Sequence, residues 1–128
     1  MRLGIKMLDS DSTLNDLKYL NQVDIYPGET VTVMFQLINS QSGHRYIPAS
    51  GATLSAKMYS VNDANNITKA ATNPFADDRS IWSFTLNAIE TQKLAGVNLE
   101  LTLTEGTNIK KTWGHAVIVV HPKSPYKA

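Results

Sequence analysis

Three histidines, His44, His115 and His121, are the side chains of this sequence best suited to hold a metal ion. His115 and His121 fall on one face of a predicted strand, but six positions separate them. At a rise of ~3.4 Å per residue the gap is roughly 20 Å, which one zinc ion cannot bridge. His44 could join only one of the two, and the chain has no cysteine to supply a thiolate ligand. We therefore expect no metal site.

The acidic pair Asp77-Asp78 is the next candidate for chemistry, because paired carboxylates can bind calcium or act as acid and base. Adjacent residues in a strand or turn point apart, so these two do not form a catalytic dyad. We expect a loop cap instead, in which one aspartate accepts backbone N–H groups and Arg79 balances the charge.

The familiar catalytic motifs are absent: the sequence contains no nucleophile elbow G-x-S-x-G, no P-loop and no dinucleotide motif G-x-G-x-x-G. The chain is therefore predicted not to be an enzyme and to carry no cofactor. An enzyme with an unfamiliar site is the third hypothesis. A lytic or depolymerising activity would need two carboxylates roughly 5 to 10 Å apart in a cleft.

Aromatic rings could form a platform for a sugar, because flat rings stack on sugar faces. The candidates are Trp82, Trp113, Tyr46, Tyr59 and Tyr126. Trp82 shares one face of a predicted strand with Phe84 and Leu86, and we expect it in the core. If Trp113 and Tyr46 are exposed together, the chain would be a carbohydrate-binding module, which is the alternative function.

Strands with a period of two residues are the elements that must position these side chains. Between Val97 and Leu103, for example, every second residue is apolar and the residues between them are polar, as in a half-buried strand. Pro27-Gly28, Asn62–Asn66 and Glu105–Asn108 are turn signals. The predicted strands are Glu29–Asn39, Ala52–Val61, Arg79–Asn87, Val97–Leu103 and Ile109–Val120.

Only Asn87–Gly96 favours a helix, with Asn87 as its N-cap and Gly96 at its end. Turn signals roughly every 8 to 12 residues favour an all-β fold, an immunoglobulin-like antiparallel β-sandwich of about 6–8 strands with one short connecting helix. We assign this domain to residues 14–120. The weakly patterned residues 1–13 and the proline-bearing residues 121–128 are predicted to be N-terminal and C-terminal arms, or frayed ends when the domain is isolated.

Length and composition exclude several classes of protein. The 128 residues fit one domain, and the absence of cysteine rules out a disulfide framework. The net charge of +1 comes from 12 basic and 11 acidic residues scattered along the chain, so direct nucleic-acid binding is not expected. No stretch approaches the ~20 apolar residues of a membrane span, and no export signal is visible at the start.

Several short motifs between Val23 and Val120 carry a resemblance to a known group of proteins. The motifs are Tyr26-Pro27-Gly28-Glu29-Thr30, Tyr46-Ile47-Pro48, Asn73-Pro74-Phe75 with Asp77-Asp78-Arg79-Ser80-Ile81-Trp82, Leu94-Ala95-Gly96 and Glu100-Leu101-Thr102-Leu103-Thr104-Glu105-Gly106. Together this stretch resembles the small immunoglobulin-like structural proteins of tailed bacteriophages, of the tail, baseplate, neck or head-decoration type.

The resemblance implies a non-enzymatic virion component, made in the host cytoplasm, that assembles through protein–protein contacts. Its partners would be other copies of itself and other virion structural proteins, with no direct contact to nucleic acid or membrane. Sheet edges, loops and arms would make the contacts, because open strand edges can accept a neighbouring strand. The interaction residues predicted on this basis are His121, Pro122, Pro125, Tyr126, Trp113 and Tyr46.

Overall fold

A computed structural model describes residues 1–60, 66–115 and 117–121. This part of the chain is mostly β, with 55% of the described residues in strands and 5% in helix, and its sheets are mainly antiparallel. The all-β class predicted from the sequence is therefore confirmed. The predicted turn at residues 62–66 lies almost entirely outside the described residues.

Ten strands and one helix are formed by these residues. They are β1 (Leu3–Leu8), β2 (Tyr19–Leu20), β3 (Val23–Ile25), β4 (Val31–Asn39), β5 (Thr53–Ser60), β6 (Ile67–Ala71), β7 (Ile81–Leu86), α1 (Ala88–Lys93), β8 (Leu94–Glu105), β9 (Asn108–His115) and β10 (Ile118–Val120).

Two antiparallel four-stranded sheets dominate the fold. The first has the order β2-β1-β4-β7 and the second has the order β6-β5-β8-β9. A separate pair, β3 and β10, is parallel. Side chains from both four-stranded sheets belong to one hydrophobic core, so the two sheets face each other across it.

The centre of this core comes from β4 and β8, where the predicted period of two holds. Six alternating side chains are completely buried: Val33, Phe35, Leu37, Leu99, Leu101 and Leu103. Trp82, Phe84 and Leu86 of β7 join the same core, as predicted. Burying a side chain of this size contributes about 1.5–3 kcal/mol, and in a chain without cysteine such burial is the main source of stability.

The outer face of the first sheet carries a second, smaller apolar cluster. Leu8, Met34 and Ile81 are buried there beneath Leu17 and Phe75. Alternation along β4 and β7 had placed Met34 and Ile81 on the side opposite the core. They are buried all the same, because the loops that contain Leu17 and Phe75 pack over this face.

The predicted N-terminal arm of residues 1–13 is corrected by the structure. Residues 3–8 form β1, which pairs with β4 from Leu3 opposite Asn39 to Leu8 opposite Met34. Leu3, Ile5 and Met7 face the common core, whereas Leu8 faces the second cluster. Leu3, Ile5 and Met7 alternate with Gly4 and Lys6, but this run is only five residues long, and Leu8 ends it by facing the second cluster.

The predicted single strand Ile109–Val120 is also corrected, since it is divided into β9 and β10. Gly114 lies against Val117, and a Cβ atom on Gly114 would stand 2.5 Å from Val117 Cγ2, so a larger residue would force the chain apart. After this point the chain leaves the second sheet. The Val23 N–H donates to the Val117 carbonyl at 2.7 Å, and β10 then runs parallel to β3.

The helix begins where the sequence predicts and ends earlier. Asn87 is the N-cap and forms a capping box with Glu90: the Asn87 side chain accepts from the Glu90 N–H, and the Glu90 side chain accepts from the Asn87 N–H. The chain is already extended at Leu94, so Gly96 lies within β8 and not at the helix end. Leu94 already pairs with Ser60 of β5, so the helix has ended before the chain reaches Gly96.

The hairpin between β8 and β9 agrees with the sequence. Glu105 pairs with Asn108, which leaves Gly106-Thr107 as a two-residue loop. Gly106 has a φ of 62°, a conformation that tight hairpin loops require and that glycine adopts without a steric penalty.

We expect Met7→Ala to lower the free energy of unfolding by about 2–5 kcal/mol, because it removes a side chain that is 2% exposed in the core. Lys6→Ala, on the exposed side of the same strand, should change it by no more than about 0.5 kcal/mol. Urea denaturation of both variants measures the difference. Equal, negligible effects would mean that residues 1–13 form an arm after all.

Candidate functional site

Trp113 and Tyr46, the two surface aromatics predicted from the sequence, lie on opposite sides of β9. Trp113 is 51% exposed and pairs with Glu100 on the outer face of the second sheet. Tyr46 is half-buried and contacts Lys110, which pairs with Leu103 on the inner face. The two rings therefore do not form one platform.

Tyr46 belongs to a compact polar cluster with Glu105 and Lys110. Its hydroxyl donates to both Glu105 carboxylate oxygens, at 2.7 and 2.8 Å. The Lys110 ammonium lies 2.7 Å from Glu105 Oε1 and 5.3 Å from the centre of the Tyr46 ring. The Ala49 N–H also donates to this carboxylate, at 2.9 Å. The cluster thus ties the loop at residues 46–49 to the β8–β9 hairpin.

The electrostatics of this cluster centre on Glu105, whose side chain is only 9% exposed. Burial by itself raises the pKa of Glu105, but the hydrogen bonds from Lys110, Ala49 and Tyr46 outweigh it and lower the pKa from 4.5 to about 2. The hydrogen bond to Glu105 also raises the pKa of Lys110. Both groups are therefore held in their charged forms.

His121 is attached to the end of β3 by three contacts. Its N–H donates to the Ile25 carbonyl at 2.8 Å, its ring stacks on Tyr26 with centroids 4.5 Å apart, and its Nε2 lies 3.0 Å from Asp24 Oδ1. The hydrogen bond with His121 lowers the pKa of Asp24. His121 is thus docked against the domain, and the predicted interaction residues Pro122, Pro125 and Tyr126 lie outside the described residues.

The Asp77-Asp78 loop forms the predicted cap, with one correction. Asp78 is buried, and its Oδ1 accepts from the Ser80 N–H at 3.0 Å and from the Ser80 hydroxyl. Its charge is balanced by Arg45, whose Nη1 lies 3.0 Å from Asp78 Oδ2, and not by Arg79. The partner comes from a distant loop, which adjacency in the sequence does not reveal.

Sequence analysis missed a chain of hydrogen bonds that continues from Ser80. The Tyr19 hydroxyl donates to Gln36 Oε1 at 2.9 Å, and Gln36 Nε2 donates to the Ser80 hydroxyl at 3.2 Å. These groups adjoin a cleft of about 520 Å³ that Lys6 and His44 also line. Gln36 alternates with core residues, so the sequence pattern predicts that it faces solvent. It is nevertheless 5% exposed, with its side chain hydrogen-bonded to Tyr19 and Ser80.

A second cleft, of about 490 Å³, lies along the edge of β1. The partner strand β2 pairs only with Met7 and Leu8, so residues 3–6 have no strand on that side within the described part of the chain. The exposed side chains of Tyr19 and Leu20 and the partly buried Ile5 and Val117 line this cleft.

No group of three or more histidine, aspartate or glutamate side chains that could hold a metal ion occurs among the described residues. Nor does the described part of the chain contain a helix long and apolar enough to cross a membrane.

Comparison with known proteins adds no family to these observations. No family model matches the chain, and a search of curated proteins finds no significant match.

Replacing Glu105 should destabilise the fold in a pH-dependent way. Because the folded state lowers the pKa of Glu105 from 4.5 to about 2, its carboxylate stabilises the fold above pH 4.5, and this stabilisation is lost as the pH falls from 4.5 towards 2. We expect Glu105→Gln to cost about 1–3 kcal/mol at neutral pH. Urea denaturation across this pH range should show the difference from wild type shrinking.

Glu29→Gln is the matched control, since Glu29 is an exposed glutamate of the same domain. Its unfolding curve should follow that of the wild-type protein at each pH. A Glu105→Gln deficit that stays constant down to pH 2 would contradict the assignment of the stabilisation to the ionised carboxylate.

Proposed function

We propose that this chain is an immunoglobulin-like β-sandwich and a non-enzymatic structural component of a bacteriophage virion, in the tail, neck, baseplate or head decoration. It assembles with other copies of itself and with other virion structural proteins after synthesis in the host cytoplasm. Two antiparallel sheets that share one core support the sandwich. The motifs quoted above support the virion setting by resemblance.

Among the described residues no strand pairs with the outer edge of β1 at residues 3–6, and this observation carries the assembly role. A strand edge presents free backbone N–H and C=O groups, onto which a neighbouring chain can add a strand. Here the free residues 3–6 stand beside a cleft with an apolar wall that includes Leu20 and Val117. A partner strand would therefore gain main-chain hydrogen bonds and apolar contact at the same place.

The neighbouring edge strand β9 enlarges this surface. β9 is the edge strand of the second sheet, and Gly114 lies against the Ile5 side chain of β1, so the two strands are close together at this point. β9 also exposes Ile109, at 64%. Exposed apolar residues beside unpaired strands are typical of surfaces that are covered in an assembly.

Lysines on both strands argue for a selective contact. Lys6 is on β1, and Lys110 and Lys111 are on β9, and lysine on an edge strand opposes indiscriminate edge-to-edge pairing. Lys110 is already paired with Glu105. A partner with a carboxylate opposite Lys6 is thus favoured over random aggregation.

The alternative, a carbohydrate-binding module built on Trp113 and Tyr46, loses its shared platform because the rings are on opposite sides of β9. Trp113 itself remains exposed. The role of residues 121–128 as a contact arm stays a prediction.

The genes on either side of this one test the virion setting. Virion components are encoded in clusters, so we expect a capsid, portal or tail-tube gene next to this gene. Mass spectrometry of the particles that such a cluster produces should then detect the chain in several copies. Flanking genes of cellular metabolism, or particles that lack the chain, would contradict the proposal.

A further inference from the structure

A row of three side chains crosses the outer face of the second sheet and has Glu100 at its centre. Lys57 of β5 and Trp113 of β9 are the direct cross-strand partners of Glu100 on its two sides. Directly opposed residues on one sheet face have their Cβ atoms about 5 Å apart, so the three side chains are in reach of one another. The row therefore combines a carboxylate, an ammonium group and an indole ring.

The Glu100 carboxylate keeps hydrogen-bonding capacity, although its side chain is only 11% exposed. Its neighbours are the Lys111 ammonium at 3.3 Å and the Tyr59 hydroxyl at 3.5 Å. Both distances exceed the ~2.7–2.9 Å of a strong charge-assisted hydrogen bond, which Lys110 and Glu105 do reach at 2.7 Å. A carboxylate has about four acceptor positions, so Glu100 can accept further, shorter hydrogen bonds.

Two aromatic rings flank this carboxylate. Trp113, directly opposite it on the edge strand, is 51% exposed. Tyr59 lies on the other side, and the Lys57 ammonium is 5.8 Å from the centre of the Tyr59 ring. An exposed indole offers a flat apolar surface next to the polar groups.

We propose that this cluster of Lys57, Tyr59, Glu100, Lys111 and Trp113 is a subsite for a neutral pyranose of an oligosaccharide. Vicinal sugar hydroxyls both donate and accept, so they can donate to Glu100 while accepting from Lys111. The apolar face of the ring stacks on Trp113. A ligand carboxylate in place of the hydroxyl that donates to Glu100 would be repelled by it and has no proton to donate, and a basic peptide would be repelled by the two lysines. This site goes beyond the assembly role and does not depend on it.

Nuclear magnetic resonance of the ¹⁵N-labelled full chain tests the subsite, because the protein has two tryptophans and hence two indole N–H signals. The test ligands are cellohexaose, maltohexaose and N-acetylchitohexaose. At least one of them should shift the Trp113 signal in a saturable manner. The signal of Trp82, which is 5% exposed, should stay in place and serve as an internal control.

Substitutions decide whether the named cluster is responsible. Because Trp113→Ala removes the reporter signal, the Kd of each variant is measured by isothermal titration calorimetry. Trp113→Ala and Glu100→Gln should each raise the Kd by about tenfold or more, as loss of a stacking contact or a charged hydrogen bond requires. Ile109→Ala is the matched control, because Ile109 is an exposed apolar residue two alternations away on the same strand and should bind as wild type. An unmoved Trp82 signal in each variant checks that the fold is intact.

Three results would overturn the subsite. The first is that none of the three oligosaccharides shifts the Trp113 signal at millimolar concentration. The second is that binding survives both Trp113→Ala and Glu100→Gln. The third is that an acidic counterpart such as hexagalacturonate binds more tightly than the neutral ligands. Each of these outcomes leaves the assembly role of the β1 edge untouched.

Discussion

Burial between β4 and β8 is the interaction on which the rest of the structure depends. Val33, Phe35 and Leu37 face Leu99, Leu101 and Leu103 across the core, and all six are fully buried. With no disulfide in the chain, no covalent link substitutes for this contact. It fixes the register of both sheets, because a slip of one residue would turn every one of these side chains outwards.

That constraint also determines which surfaces remain for function. Because the inner faces of both four-stranded sheets are buried in the core, only the outer faces, strand edges and loops remain accessible to a ligand or partner. One outer face is covered by the loops around Leu17 and Phe75. The opposite outer face keeps Glu100 beside an exposed Trp113, and no strand in the described part of the chain pairs with the outer edge of β1 at residues 3–6. The two proposals follow from these two surfaces, one for a neutral sugar and one for a neighbouring chain.

Local sequence patterns predicted the structure correctly wherever neighbours along the chain determine the environment of a side chain. Alternation predicted the inward faces of β4, β7 and β8, and the Asn87 cap and the Gly106 turn are local chemistry. The failures all involve distant partners. In β1 the alternation of Leu3, Ile5 and Met7 ends at Leu8, which faces the second cluster. Leu94 pairs with Ser60 of β5, so the helix ends before Gly96. Asp78 pairs with Arg45 and not with its neighbour Arg79. The Glu100 cluster likewise combines residues from three strands, and the spacing of these residues along the chain does not predict it.

Hydrogen exchange of the full chain over a dilution series tests the assembly surface most directly. In β1, residues 3–6 pair with β4 on one side only, so the amides that are not donated to β4 should exchange quickly in the dilute monomer. As concentration and mass rise together, those amides should become protected while the amides of β4 and β8 remain unchanged. A rise in mass without new protection at residues 3–6, or a chain that stays monomeric at every concentration, would contradict assembly through the β1 edge.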